Sequence, residues 1–375
     1  MQFVSGMGGT SSDIPTSGQV DSSGNSYVAG LFQGTADFDP GAGTTNLTSA
    51  GANDIFIAKY DSSGALVWAK GVGGTSNDSN VALQIDSSGN SYVTGSFRDT
   101  ADFDPDAGTA NLTSAGSYDS FIAKYDSSGA LVWAKGVGGT GTDIGNAIQV
   151  DSSGNSYVTG YFSGTADFDP GAGTTNLTSA GGNDTFIAKY DSSGALVWAK
   201  GIGGTSSDIA ASMQIDSGGN SYLIGTFQGT ADFDPGAGTT NLTSAGGNDI
   251  FIAKYDSTGA LVWAKNAGGT DTDQAASVTV DSSGNSYVTG IFTGTADFDP
   301  GAGTTNLTSA GDNDIYLLKL DSSGNFVTVA SGSGSTGSSG GSSSGSSLTV
   351  TGQTTDDLSG TATGRTLVNN TGSSA

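Results

Sequence analysis

Five copies of the tetrapeptide Asp-Phe-Asp-Pro set carboxylates in pairs at one fixed interval: Asp37 and Asp39, Asp102 and Asp104, Asp167 and Asp169, Asp232 and Asp234, Asp297 and Asp299. In an extended segment residues i and i+2 share a side, so each pair projects together with its Phe opposite. Two carboxylates followed by the carbonyls of a glycine-rich turn are the hard oxygen ligands that Ca²⁺ takes. The second copy adds a third carboxylate, Asp106, where the others carry Gly. The spacing is not that of an EF-hand, which needs more acidic positions and a closing Glu. A tight turn alone also accounts for the Pro and the glycines, and Asp can simply cap turn amides. Both readings stand at this point. Paired carboxylates also serve glycosidases, one as acid and one as nucleophile or base. That chemistry needs one of the two raised selectively in pKa, and five equivalent pairs offer no such distinction. The expectation is therefore no catalysis, with a polysaccharide hydrolase as the remote alternative.

Other recurrent motifs carry less chemistry. Asp-Ser-Ser-Gly-Asn supplies one carboxylate per copy and reads as a turn. Asn-Leu-Thr at Asn46, Asn111, Asn176, Asn241 and Asn306 fits the glycosylation pattern but falls where a hairpin is expected. Trp68, Trp133, Trp198 and Trp263 could stack on a ligand or pack between structural units, and packing is the commoner use. Lys59 and Lys70, with their repeats, are placed to pair with Asp across strands.

Composition removes whole classes of function. The chain has no His and no Cys, hence no imidazole base, thiolate nucleophile or disulfide. Its formal charge is −25, with no basic patch for a nucleic acid. No run nears the roughly 20 apolar residues that cross a bilayer, so membrane insertion is not expected. The start, Met1-Gln-Phe-Val-Ser-Gly, has no basic or apolar region of a signal peptide; if the protein is exported, its signal lies outside this chain. All the acidic residues are Asp, which favours turns where Glu would favour helices.

The elements that must position these residues follow from the period. Asp-Phe-Asp-Pro and the Asp-Ser-(Ser/Gly)-Gly-Asn-Ser-Tyr motif both recur every 65 residues, which signals stacked units that bury their apolar faces against one another. In the stretch after Gly138, Ile144–Val150, 156–162, 184–190 and 195–202 read as four strands separated by Asp/Gly turns. The insertion 164–178 reads as an extra hairpin. Tyr27, Phe56 and Ile57, with their repeats, are expected core residues. Four antiparallel strands per repeat make a propeller blade, and helical solenoids lack the required 3.6 period. The predicted fold is all-β, a five-bladed β-propeller over residues 1–330.

The run from Asp54 to Thr75, Asp-Ile-Phe-Ile-Ala-Lys-Tyr-Asp-Ser-Ser-Gly-Ala-Leu-Val-Trp-Ala-Lys-Gly-Val-Gly-Gly-Thr, resembles the bacterial β-propeller repeat family often called SBBP. Residues 86–95 continue the match, and the resemblance extends over about residues 1–325. It implies a propeller within large secreted or surface-attached proteins, and no catalytic residues.

Shifted by one period, Met1–Thr10 aligns with Leu66–Thr75, with Phe3 at the Trp position. The fifth repeat's own fourth strand, 326–330, is degraded, with Thr328 in place of Trp. Residues 1–7 are therefore expected to complete the blade begun by 275–320 and close the ring. Residues 331–375 read as a Gly/Ser-rich linker and mobile tail. The expected function is a non-catalytic extracellular or cell-surface scaffold or binding module. It would be a monomer that engages polysaccharide or another surface protein, with Ca²⁺ as the one conceivable cofactor; the alternative is a purely structural spacer.

Overall fold

The computed structural model describes residues 6–327. All of its regular structure is β, in antiparallel sheets built from one recurring unit. The third unit has strands Ile144–Val150, Ser156–Asp167, Asn176–Tyr190 and Leu196–Gly204, paired in that order. Alternation sets the register: Val158 faces Ala188 and Gly160 faces Phe186 across the central pair. The first turn forms because Asp151 Oδ1 accepts the N–H groups of Ser153 and Asn155, both at 2.9 Å. Gly154 sits at φ +79° there, a conformation that only Gly adopts at little cost.

The second and third strands run on past the sheet into the expected hairpin, where Ala166 pairs with Leu177 and Asp167 with Asn176. In the second, fourth and fifth units a break detaches the same hairpin as two short strands, such as Thr100–Asp102 and Asn111–Thr113. In every unit the hairpin turn is closed by the N–H of its Phe donating to a carbonyl seven residues on, as Phe168 does to Thr175.

Two devices join consecutive units. The end of each fourth strand crosses to the next unit's hairpin, so that Gly138 pairs with Asp167 and Gly139 with Ala166. The sheet faces then enclose a mixed core: Tyr92, Ile122 and Val137 of one unit pack with Ile148, Val158, Phe162 and Phe186 of the next. Burying each large side chain contributes roughly 1.5–3 kcal/mol, and much of this apolar surface is hidden only when two units meet. Trp68, Trp133, Trp198 and Trp263 belong to these junctions. Each donates its Nε1–H to a serine carbonyl of the following unit at 3.1–3.2 Å and sets its edge against a tyrosine of its own. Packing is their use.

Among the described residues no strand joins the first and fifth units, so the expected closure of the ring is not seen. Gly8 and Gly9 pair with Asp37 and Ala36 of the first unit, which is where the fourth strand of a preceding unit would end. On the fifth unit, Phe326 bridges Leu320 and the Val327 N–H donates to the Lys319 carbonyl at 3.1 Å. The chain thus begins to fill with its own residues the position that residues 1–7 were expected to take. Phe3, Thr328 and the tail 331–375 lie outside the described residues. The first and last sheets each keep one face in solvent among the described residues, as Ile14, Val20, Ile315 and Leu317 show.

Candidate functional site

The Asp-Phe-Asp-Pro turns are alike in all five copies. Phe38 is buried, edge-on to Phe32 and tilted on Phe56, which turns Asp37 and Asp39 outward as the alternation predicts. Asp37 Oδ1 accepts the N–H groups of Asp39 and Thr45 at 3.0 and 2.8 Å, and Asp39 Oδ1 accepts that of Gly41 at 2.8 Å. Asp102, Asp167, Asp232 and Asp297 repeat the first arrangement, and Asp104, Asp169, Asp234 and Asp299 the second. Amide hydrogen bonds from Asp39 and Thr45 hold the Asp37 carboxyl below its ordinary range.

These residues fit a calcium ion poorly. One oxygen of each carboxylate already caps amides, and among the described residues no three acidic groups converge as a metal cluster. Asp106, the extra carboxylate of the second copy, pairs with Lys70 of the preceding unit at 2.6 Å.

A second recurrent surface lies where the Asp-Ser-Ser-Gly turns of consecutive units meet. Between the fourth and fifth units a notch is lined by Asp216, Asn220, Tyr222, Lys254, Asp281 and Ser322, among others. Lys254 Nζ stands 4.7 Å from the centre of the Tyr222 ring, and the Tyr222 hydroxyl donates to the Gly284 carbonyl at 3.3 Å. The same Lys-over-Tyr contact recurs as Lys59–Tyr27, Lys124–Tyr92, Lys189–Tyr157 and Lys319–Tyr287. The side-chain amide of Asn285 keeps Asp281 below the usual carboxylate range. The notch therefore offers a fixed ammonium, ionised carboxylates, an amide and hydroxyls, the groups that hydrogen-bond a hydroxyl-rich ligand.

A third set of carboxylates escaped the sequence reading. Each junction buries an Asp that opens the third sheet strand with an Asp that follows the Gly-Gly-Thr turn: Asp54 with Asp78, Asp119 with Asp143, Asp184 with Asp208, Asp249 with Asp273. A Cβ placed on Gly73 would lie 2.5 Å from Asp78 Oδ2 and 2.9 Å from Asp54 Oδ1, so the two carboxylates flank one α-carbon. All but Asp78 cap an amide four residues upstream, as Asp54 does for Ala50 and Asp143 for Gly139, both at 2.7 Å, whereas neither oxygen of Asp78 has a hydrogen-bond partner. Yet Oδ1 of Asp54, Asp119, Asp184 and Asp249 has no hydrogen-bond partner.

Burial pushes Asp54, Asp119, Asp184 and Asp249 up to about 6. Burial, with the Asp54 charge adding to it, pushes Asp78 up to about 8, and burial lifts Asp143 to about 7. In all four pairs burial thus favours the protonated form, and in the Asp54/Asp78 and Asp119/Asp143 pairs one carboxyl is raised to about 7–8. Closed off from solvent, these groups cannot reach a polymeric substrate, and their role is at the junction. The signal for them was present, since Gly-Gly-Thr-x-x-Asp keeps the 65-residue period.

A family model described as a β-propeller repeat, SBBP, matches residues 262–290. The chain is similar to an uncharacterised WD repeat-containing protein of Acanthamoeba polyphaga mimivirus, 28% identical over 68% of this chain and 22% of that protein. It is also similar to the regulatory protein FlaEY of Caulobacter vibrioides, 31% identical over 38% of this chain and 15% of that protein. The chain therefore spans less than a quarter of the length of these relatives. A solved protein of unknown function from Bacteroides caccae aligns over 84% of this chain and 80% of its own, at 11% identity and a TM-score of 0.35. The family-model match and the WD-repeat relative support a β-propeller repeat family for these repeats.

Proposed function

We propose that this chain is a non-catalytic binding or scaffold module that offers one polar surface in several copies to a hydroxyl-rich polymer such as a polysaccharide. The observation that carries the reading is recurrence: the Lys-over-Tyr contact beside an Asp-Asn turn is repeated in all five units with distances of 4.7–4.9 Å. A single shallow polar notch binds weakly. Once one notch is occupied, however, the next contact on the same polymer is intramolecular, and avidity exceeds single-site affinity by orders of magnitude. A repetitive polymer at a cell surface matches a repetitive protein, and the acidic, Cys-free composition is compatible with an extracellular setting. Five units in one array fix the spacing of the notches.

The test is a polysaccharide array probed with wild type and with a variant carrying Lys189→Gln and Lys254→Gln, each with and without chelator. Binding to a subset of polymers that weakens in the variant supports the reading. Signal lost only in chelator would give the binding a divalent-cation requirement. A flat array would leave a structural spacer, and release of oligosaccharides would replace a binding module by a hydrolase.

A further inference from the structure

The four internal junctions show what the two outermost faces lack. At each junction the third sheet strand of one unit buries two side chains against the next unit: Ile55 and Ile57, Ser120 and Ile122, Thr185 and Ile187, Ile250 and Ile252, none more than 1% exposed. Their counterparts in the fifth unit, Ile315 and Leu317, are 85% and 70% exposed. The receiving surface of the first unit is equally bare. Val20 is 65% exposed, whereas its counterparts Ile85, Val150, Ile215 and Val280 all pack into junction cores. Beneath it Phe32, Phe38, Phe56 and Tyr60 form a core cluster made by the first unit alone.

The polar parts of a junction are present as halves too. Asp13 and Asp314 are the members of the buried acid pairs left without a partner, and each caps its own upstream amide in the usual way. Tyr287 corresponds to Tyr27, Tyr92 and Tyr222, which donate to a glycine carbonyl of the following unit; the matching carbonyl for Tyr287 is that of Gly24.

We propose that the fifth unit of one copy docks on the first unit of a second copy, head to tail, making a fifth junction of the kind the chain makes four times within itself. A second copy is the occupant the faces specify, because the surface that covers Ile55 and Ile57 is this repeat's own and the first unit presents it in register. Docking needs only the faces. Phe326 and Val327, already set beside the last strand, do not obstruct it. Such a contact is heterologous, so it propagates into oligomers unless a ring closes. The charge of −25 per copy opposes it at low ionic strength, and salt relieves that repulsion.

The experiment is sedimentation velocity with light scattering on the full chain over a range of concentrations and salt. The expected result is a mass that rises in multiples of the chain with concentration, more steeply at higher salt. The variant carrying Ile315→Lys and Leu317→Lys should associate about a hundredfold more weakly or less, given the apolar burial removed. Its melting curve should be unchanged, since both side chains are exposed in the single chain. A variant carrying Ile14→Lys and Val20→Lys should behave in the same way. Mixed, the two variants should form a one-to-one dimer that grows no further, because each retains one intact end. The control Val132→Lys, on an outer edge exposed in four units alike, should associate normally. A monomer at every concentration overturns the proposal, including one that shields Ile315 by closing on itself. So does self-association of either end variant at wild-type strength. None of these outcomes depends on polysaccharide binding.

Discussion

Asp37 and its counterparts sit on the rim of an exposed turn, whereas Asp54 and Asp78 and theirs lie between packed sheets, and the same side chain behaves oppositely in the two places. On the rim the carboxylate accepts two backbone N–H groups within reach of water, and its charged form is favoured. At the junction Asp54 also accepts an amide hydrogen bond, but it is buried away from water with Asp78 beside it, and neither oxygen of Asp78 has a partner. The rim group accepts two amides where Asp54 accepts one and keeps an unpartnered oxygen. Burial and the like charge decide the sign. The rim aspartates shape a surface, and the junction aspartates make the contact between units sensitive to protons.

The largest effect that would test this contrast is the response of the whole protein to pH. The folded junction carboxylates have pKa values raised above 3.8 to about 6–8. The folded state therefore binds more protons than the unfolded chain, and the stabilisation linked to this is fully present below pH 3.8 and lost as pH rises through 6 to 8. A tenfold difference in proton affinity between the folded and unfolded chain corresponds to about 1.4 kcal/mol. Even discounted for screening by nearby water, four junctions together reach several kcal/mol. The melting temperature should fall by roughly 10 °C between pH 5 and pH 9. A flat profile over that range would remove the distinction between rim and junction.

Next comes a substitution that forces the pair apart. A methyl on Gly138 would lie 2.7 Å from Asp119 Cγ and 2.8 Å from Asp143 Oδ2, distances no real contact tolerates. Gly138→Ala should cost about 3 kcal/mol by urea unfolding. Gly164, at the hairpin of the following unit, has nothing within 4 Å of its Cβ position. Gly164→Ala should lose only what its left-handed φ of +69° imposes, about 1 kcal/mol. Equal losses at the two sites would mean that the carboxylates yield freely.

A smaller change isolates the proton. Asp143→Asn keeps an oxygen for the Gly139 amide and removes the charge beside Asp119. The readout is the slope of stability against pH between 6 and 9, which should flatten, since the raised carboxyl of Asp143 no longer titrates. A slope unchanged in Asp143→Asn would assign the pH response to other groups.

Much of the fold could be read because its determinants are local. Alternating Val, Ile, Phe and Tyr between Asp/Gly turns places each strand, and the insertion's own turn residues place the hairpin. The rim turns were legible for the same reason: Asp37, Pro40 and the glycines predict capped amides, and the structure supplies them. The junction acids were not, because an Asp after Gly-Gly-Thr looks like one more turn residue until a neighbouring unit covers it. Nor could the repeat tell Ile55 from Ile315. Both stand in the same local sequence, and their exposure depends on whether another unit follows in space.

The smallest effect belongs to the rim. Asp37→Asn retains an acceptor for the N–H groups of Asp39 and Thr45 but removes the charge that strengthens both bonds. Melting should fall slightly, by less than for any junction change above. The deficit should be constant between pH 5 and 9, where the wild-type carboxylate is fully ionised. It should disappear only in acid, because a lowered pKa contributes stability above 3.8 that is lost as pH falls through the folded value. Rim and junction variants thus lose their effects at opposite ends of the pH scale. A deficit in Asp37→Asn that grows between pH 6 and 9 would mean that the turn senses the junction beside it, and the two sets of aspartates would then act as one.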